Sequence, residues 1–236
     1  MSVMSHSLVK SFLLAALAVV TTDGCATQNH FSARAILPDD GSHPEAMQRA
    51  QHTIAHLFPV RYRATQRAIV TVSGKQFACD GLLTVSSVGG YHLALVSSFG
   101  AITDLHVRHD GRVELLKVTP LFRADWSRRF VARDLRWLFI SPDHLQPVGR
   151  LADGRLVLIT TPTANEVTAE YIFSADGSRW QELDLTTNGK TFYRAMATHY
   201  LKFPGMATEV PEEFDVNAEA YQLELRITAL EPEAQP

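Results

Sequence analysis

Apolar and polar residues alternate without a break from Tyr221 to Ile227, in the order Tyr-Gln-Leu-Glu-Leu-Arg-Ile. Successive side chains of a β-strand point to opposite faces, so this pattern marks a strand with one buried face. The same period recurs in Leu105-His106-Val107-Arg108, in the set Val167, Ala169, Tyr171 and Phe173, and in Leu183 and Leu185. Between such runs stand Asp110-Gly111, Asp153-Gly154, Asp176-Gly177 and Asn188-Gly189. These dipeptides supply the positive φ that tight hairpins require. Hairpins in series build an antiparallel meander, which needs no crossover helices. The expectation is a mainly β (α+β) chain with an antiparallel sheet over most of residues 61–230.

Two helical segments interrupt this pattern. Ser42-His43-Pro44-Glu45 has the form of a capping box, with proline tolerated in the first turn. Met47, Ala50, Ile54 and Leu57 follow at helical spacing, and Pro59 is expected to end the helix. Further on, Asp125 is placed to cap a helix from Trp126 to about Phe139, stopped by Ser141-Pro142-Asp143. Trp126, Phe130, Leu135 and Leu138 lie near one stripe of it. Arg128, Arg129, Arg133 and Arg136 occupy much of the rest and read as a solvated face, with anionic headgroups or an acidic partner as its functional reading.

The N-terminus points to export. After Lys10 comes an apolar run over residues 11–20, too short for a mature transmembrane helix and fitting the hydrophobic region of a signal peptide. Gly24-Cys25 follows, and small residues before a cysteine resemble the lipobox of bacterial lipoproteins. That resemblance implies removal of residues 1–24, acylation of Cys25, and a lipid anchor at the periplasmic face of the outer membrane. Ordinary cleavage after Ala26 is the rival reading; if Cys25 is kept but not lipidated, a Cys25–Cys79 disulfide becomes possible in an oxidising compartment. Residues 25–41 are polar and small, ending in Pro38-Asp39-Asp40-Gly41, and are expected to be a flexible tether to a single domain over 42–232.

Chemistry is sparse. There is no G-x-S-x-G, no P-loop and no G-x-G-x-x-G. Ser97-Ser98 carries no nucleophile signature. His52 and His56 share a helix face, but Thr53 stands where H-E-x-x-H has its glutamate. His106 and His109 with Asp110 flank a turn, too few for a metal shell. Asp39-Asp40 and Glu212-Glu213 read as solvated loop charges. A net charge of −3 argues against a general nucleic-acid binder. The chain therefore reads as no enzyme, with neither metal nor cofactor.

The order of parts resembles the LolA/LolB family of Gram-negative lipoprotein carriers and receptors. Leu93-Ala94-Leu95-Val96-Ser97-Ser98-Phe99-Gly100 is similar to the LolB stretch where a strand leads into a membrane-touching Pro-Leu-Gly loop. Phe99-Gly100 takes the Leu-Gly place, so the resemblance implies a membrane-probe loop there. It further implies an incomplete β-barrel whose apolar concave face is covered by helices and holds lipid or lipoprotein acyl chains. The candidate cavity and lid residues are Leu93, Leu95, Leu105, Trp126, Phe130, Leu135, Trp137, Leu138, Tyr171 and Phe173. A periplasmic carrier protein would be a partner. Patterning fits equally a structural envelope lipoprotein with a filled core and no ligand.

Mass spectrometry of the membrane-extracted protein tests the export reading. The expected mature chain lacks residues 1–24 and begins at acylated Cys25; because Ala26 and not aspartate follows, outer-membrane sorting is expected. A chain beginning at Thr27, or at Met1, overturns the lipoprotein assignment.

Overall fold

The computed structural model describes residues 31, 34–38, 41, 43–86, 90–98, 100–108, 112–119, 124–142, 145–160, 167–206 and 208–233. The expected export segment with Cys25, the turn expected at Asp110-Gly111, His109, Asp39-Asp40 and Phe99 lie outside these residues.

Among the described residues, one sheet holds thirteen strands, every neighbouring pair antiparallel. They are β1 (Leu37–Pro38), β2 (Tyr62–Val72), β3 (Lys75–Ser86), β4 (Gly90–Ser97), β5 (Gly100–Val107) and β6 (Val113–Val118). After an intervening helical segment come β7 (Leu145–Arg150), β8 (Leu156–Thr160), β9 (Val167–Phe173), β10 (Trp180–Thr187), β11 (Lys190–Leu201), β12 (Val210–Ala218) and β13 (Gln222–Pro232). The spatial order is β1-β7-β8-β9-β10-β11-β12-β13-β2-β3-β4-β5-β6. Two meanders are thus joined where the last strand pairs with β2, and the sheet stays open between its edge strands β6 and β1. The antiparallel sheet expected from the alternation and the incomplete barrel that the resemblance implied are the observed fold.

The alternating residues face where the period says. Tyr221, Leu223, Leu225 and Ile227 are buried and Gln222, Glu224 and Arg226 exposed. The inward residues form one core with Met47, Ala50 and Ile54 of helix α1 (Pro44–Ala55) and with Leu135, Leu138 and Phe139 of the later helical segment. Burying one such side chain is worth roughly 1.5–3 kcal/mol, so the concave face carries most of the stabilisation. A smaller cluster of Leu151, Val157 and Ile172 lies on the opposite face, with Ile36 and Ile159 against it. Among the described residues no helix is long and apolar enough to cross a membrane.

Three of the anticipated turns connect β7–β8, β9–β10 and β10–β11, with Gly154, Gly177 and Gly189 at positive φ. A further one was not anticipated: Ser73-Gly74, both at positive φ, joins β2 to β3.

The structure corrects several local expectations. Helix α1 is capped at His43 with no side-chain bond, one residue later than expected, and Ser42 of the expected capping box lies outside the described residues. The helix ends at Ala55, short of Pro59, where the His56 N–H is shared between the His52 and Thr53 carbonyls and tightens the last turn. Asp125 is not a cap: Ala124 is already helical, and the carboxylate sits in the first turn near the positive end of the helix dipole. Glu212 and Glu213 belong to β12 and pair with Arg226, rather than lying in a solvated loop. Part of the expected tether is docked: Leu37 and Pro38 pair with Arg150 and Gly149 on β7, and Arg34 bonds Glu182 on β10 at 2.5 Å.

Gly177 and Gly189 separate backbone strain from packing. Both have positive φ, but a Cβ at Gly177 would meet the Ala46 carbonyl oxygen of α1 at 2.0 Å, whereas Gly189 faces open space. Gly189→Ala is expected to cost about 1–2 kcal/mol, the left-handed backbone alone. Gly177→Ala should cost clearly more in urea denaturation, because α1 must shift as well. Equal costs would show that α1 does not rest on this turn.

Candidate functional site: the helix across the concave face

The open sheet leaves β6 at one edge and β7 next to the other, outside which only the two-residue β1 pairs, so the chain between β6 and β7 has to travel from one side of the sheet to the other. It does so as a helical segment in three contiguous pieces: α2 (Ala124–Trp126), a π-helical turn (Ser127–Val131) and α3 (Ala132–Phe139). Hydrogen bonds mark its path across the sheet. Ser127 Oγ lies 3.2 Å from Thr103 Oγ1 of β5. The Tyr91 hydroxyl of β4 donates to the Ala132 carbonyl at 2.6 Å. The Tyr62 hydroxyl of β2 donates to the Phe139 carbonyl at 2.8 Å, satisfying one of the carbonyls that a helix C-terminus leaves without an internal partner. Ser141 Oγ then donates to the Ile54 carbonyl of α1 at 3.0 Å.

The π-helical turn sets which side chains point inward. The Ala132 N–H bonds the Ser127 carbonyl five residues back, so the turn holds one extra residue. That places Arg133 and Asp134 toward the sheet. Arg133, expected on a solvated face, instead lies among rings, its guanidinium carbon 4.9 Å from the Tyr193 centroid and 5.3 Å from that of Phe130. Arg128, Arg129 and Arg136 are exposed, as expected.

Asp134 is buried, and a buried carboxylate is costly unless paired. Tyr221 Oη donates to its Oδ2 at 2.5 Å, and Arg133 Nη2 donates to the Tyr221 hydroxyl at 2.8 Å. Arg133 Nε also approaches Asp134 Oδ1 at 3.4 Å. Burial pushes the Asp134 carboxyl up to about 6, with Arg133 and the Tyr221 bond acting in the opposite direction. Tyr221 in turn packs its ring on Trp126 and Phe130, with centroids 5.4 and 5.3 Å away.

All ten residues expected to line a cavity or lid sit in this one core or pack against it. Leu93, Leu95, Leu105, Leu135, Leu138, Tyr171 and Phe173 are buried, while Trp126, Phe130 and Trp137 are half-buried. The space between α1, α3 and the sheet, bounded by Ile54, Leu138, Trp137, Tyr171 and Trp180, leaves no room for a water molecule. Gly100 opens β5, exposed and paired with Ser97. Cys79 is a free thiol pushed up to about 11, by burial first and then by Asp80, which leaves it largely protonated at neutral pH. The His52 and His56 rings stack at 4.2 Å, and among the described residues no three metal-ligating side chains converge.

The residues not anticipated are those that fasten the helix: Tyr62, Tyr91, Thr103, Asp134 and Tyr221. The only sequence signal for them is an aromatic hydroxyl at an inward strand position and an acid within an arginine-rich helix.

No protein-family profile matches this sequence, and no curated protein matches it. Solved structures do match in shape. A putative outer membrane lipoprotein-sorting protein domain from Vibrio parahaemolyticus superposes with a TM-score of 0.55 at 11% identity, covering 80% of this chain and 93% of that one. A LolA superfamily protein from Nitrosomonas europaea gives 0.54 at 10% identity, covering 81% and 95%. A DUF1329 family protein from Desulfovibrio piger gives 0.52 at 8% identity, covering 81% and 93%. The fold is the LolA-like incomplete barrel.

Asp134 makes the helix contact sensitive to pH. Its carboxyl titrates at about 6 when folded against an ordinary value of 3.8. Between those values the folded state binds more protons, so this group's contribution to stability grows as pH falls through 6 and is lost as pH rises through it. The unfolding free energy of the wild type minus that of Asp134→Asn is therefore expected to increase from pH 7 to pH 5. A difference that stays flat across this window would show that Asp134 does not titrate there.

Proposed function

We propose that this chain is a non-enzymatic lipoprotein of the outer membrane, facing the periplasm, that holds acyl chains of a lipoprotein or lipid beneath its crossing helix and takes part in their transfer. The observation that carries this reading is a helix laid over an apolar concave face and fastened to it by a few polar contacts, within a LolA-like fold. The solved proteins of similar shape include one described as a lipoprotein-sorting domain, and that description supports an envelope location.

The interior is filled, so an acyl chain has to displace the helix in order to enter. Each methylene removed from water contributes about 0.8 kcal/mol. Each hydrogen bond broken costs about 0.5–1.5 kcal/mol net. Burial of on the order of ten methylenes therefore outweighs the loss of the helix-to-sheet hydrogen bonds. Leu135, Leu138 and Phe139 would then lie against the ligand rather than in water. Cys25 would carry the membrane anchor after loss of residues 1–24, and residues 42–232 would form the single binding domain. A periplasmic carrier would deliver the cargo, and Phe99 beside Gly100 would touch the bilayer during transfer.

The filled interior favours a second reading, an accessory envelope lipoprotein with a permanent core and no ligand. Native mass spectrometry of the protein purified from membranes separates the two. Acyl lipid retained by the folded chain is the expected result, with a change in Trp137 fluorescence when lipid is stripped. A lipid-free chain whose fluorescence ignores added acyl compounds supports the accessory reading.

Phe99→Glu tests the membrane contact. Thermal stability should match the wild type, while liposome binding and transfer fall. A sharp loss of stability would place Phe99 in the core, and unchanged binding and transfer would remove its role.

A further inference from the structure

Where α1 meets the β9–β10 turn, a surface cleft of about 310 Å³ opens beside the filled interior. Its floor is Leu57 and Trp180, which are 3% and 1% exposed. The same two side chains border the tightly packed apolar space beneath the helix. They thus stand between the two, and a chain passing between them would go from the cleft to the concave face. Behind that layer the Tyr171 hydroxyl is buried and makes no hydrogen bond among the described residues. Its ring lies 5.9 Å from that of Trp180. A buried hydroxyl without an acceptor costs about 1–3 kcal/mol, and a ligand carbonyl would relieve it.

The rim of the cleft says what kind of head group fits. Thr53 Oγ1 already donates to the Gly177 carbonyl, and the Tyr200 hydroxyl donates to the Trp180 carbonyl. Ser178 Oγ donates to Asp176. Each of these oxygens still has lone pairs to offer, so a head group that brings donors is matched and one that only accepts is not. The one cation of the rim, Arg179, is paired with Glu209 at 2.9 Å and stacked on the Tyr200 ring. A free carboxylate would have to compete with Glu209 for it. A volume of this size is within the range of small-ligand sites.

The geometry points to this cleft as the portal for acyl chains, selective for uncharged acyl esters with hydroxyl-bearing head groups over free fatty acids. The hydroxyls of the head group would occupy the Thr53–Ser178–Tyr200 rim, the ester carbonyl would reach the Tyr171 hydroxyl, and the chain would pass Leu57 and Trp180. This inference rests on the acyl-binding reading above.

The test is displacement of a fluorescent fatty-acyl probe from the full-length protein at neutral pH by monopalmitoylglycerol and by palmitate. Monopalmitoylglycerol is expected to be the stronger competitor by about tenfold, the worth of roughly one hydrogen bond. Glu209→Gln frees Arg179 and should shift the preference toward palmitate. Thr208→Trp, at an exposed rim position, should weaken ester binding without lowering the melting temperature. If the probe binds but the two competitors are equal, and neither substitution changes that, the portal is elsewhere while acyl binding stands. If the probe does not bind at all, both the portal and the acyl-binding reading fall.

Discussion

A sheet that does not close has two edges, here β6 on one side and the two-residue β1 on the other. β6 ends at one edge, and β7 begins beside the other, with only β1 outside it. The link between them has to cross either the outer face or the concave face. It crosses the concave face because that is where apolar surface remains to be covered, and because its own Leu135, Leu138 and Phe139 need a partner. A segment with those residues on one side and Arg128, Arg129 and Arg136 on the other has one energetically sensible place. The topology thus demands a covering helix, and its composition decides the face.

Apolar packing alone would hold this helix without fixing its register. The polar contacts do that. Tyr91 and Tyr62 reach backbone carbonyls seven residues apart, at Ala132 and Phe139, from strands separated by β3. Sliding the helix by one residue would break both and would carry Asp134 away from Tyr221. The extra residue of the π-helical turn is what brings Arg133 and Asp134 to the sheet together, and π-helical turns recur where a helix serves a function. A buried acid and base cost more than apolar residues of the same size, so they are better explained by specificity of seating than by stability.

The strand pattern was legible because its period is two and its turns carry their own chemistry. Asn188 and Gly189 are both at positive φ, and a dipeptide of that kind announces a hairpin. Ser73-Gly74 adopts the same geometry with serine in the asparagine place, a weaker signal that went unread. The crossing helix was legible as a helix but not in its phase. An α-helical wheel over Trp126–Phe139 puts Arg133 outside, and only a π-helical turn brings it in. No local pattern announces that insertion. It is decided by what the sheet side presents, namely Phe192, Tyr193 and Tyr221, which lie 59, 60 and 88 positions after Arg133. The docked Arg34 was hidden for the same reason, since its partner Glu182 is distant in sequence.

The residues expected to line a cavity sit in or against one core, and the space that Trp137, Leu138 and Tyr171 border leaves no room for a water molecule. Both facts follow from one physical preference. An apolar cavity left empty forfeits dispersion contacts on every wall, so a chain without ligand does better to let its cover collapse inward. A cover that collapses but must reopen is best held by contacts that are few and directional. Hydrogen bonds from Tyr62, Tyr91 and Thr103 meet that requirement, because each can be exchanged for water at little net cost once the helix lifts. Asp134 behaves differently. Lifting the helix returns its carboxylate to water, which lowers the proton affinity of the site, so the open form is increasingly favoured as pH rises toward about 6 and the effect levels off above it. The helix is therefore seated by packing, indexed by tyrosines, and biased toward release by the one acid it buries.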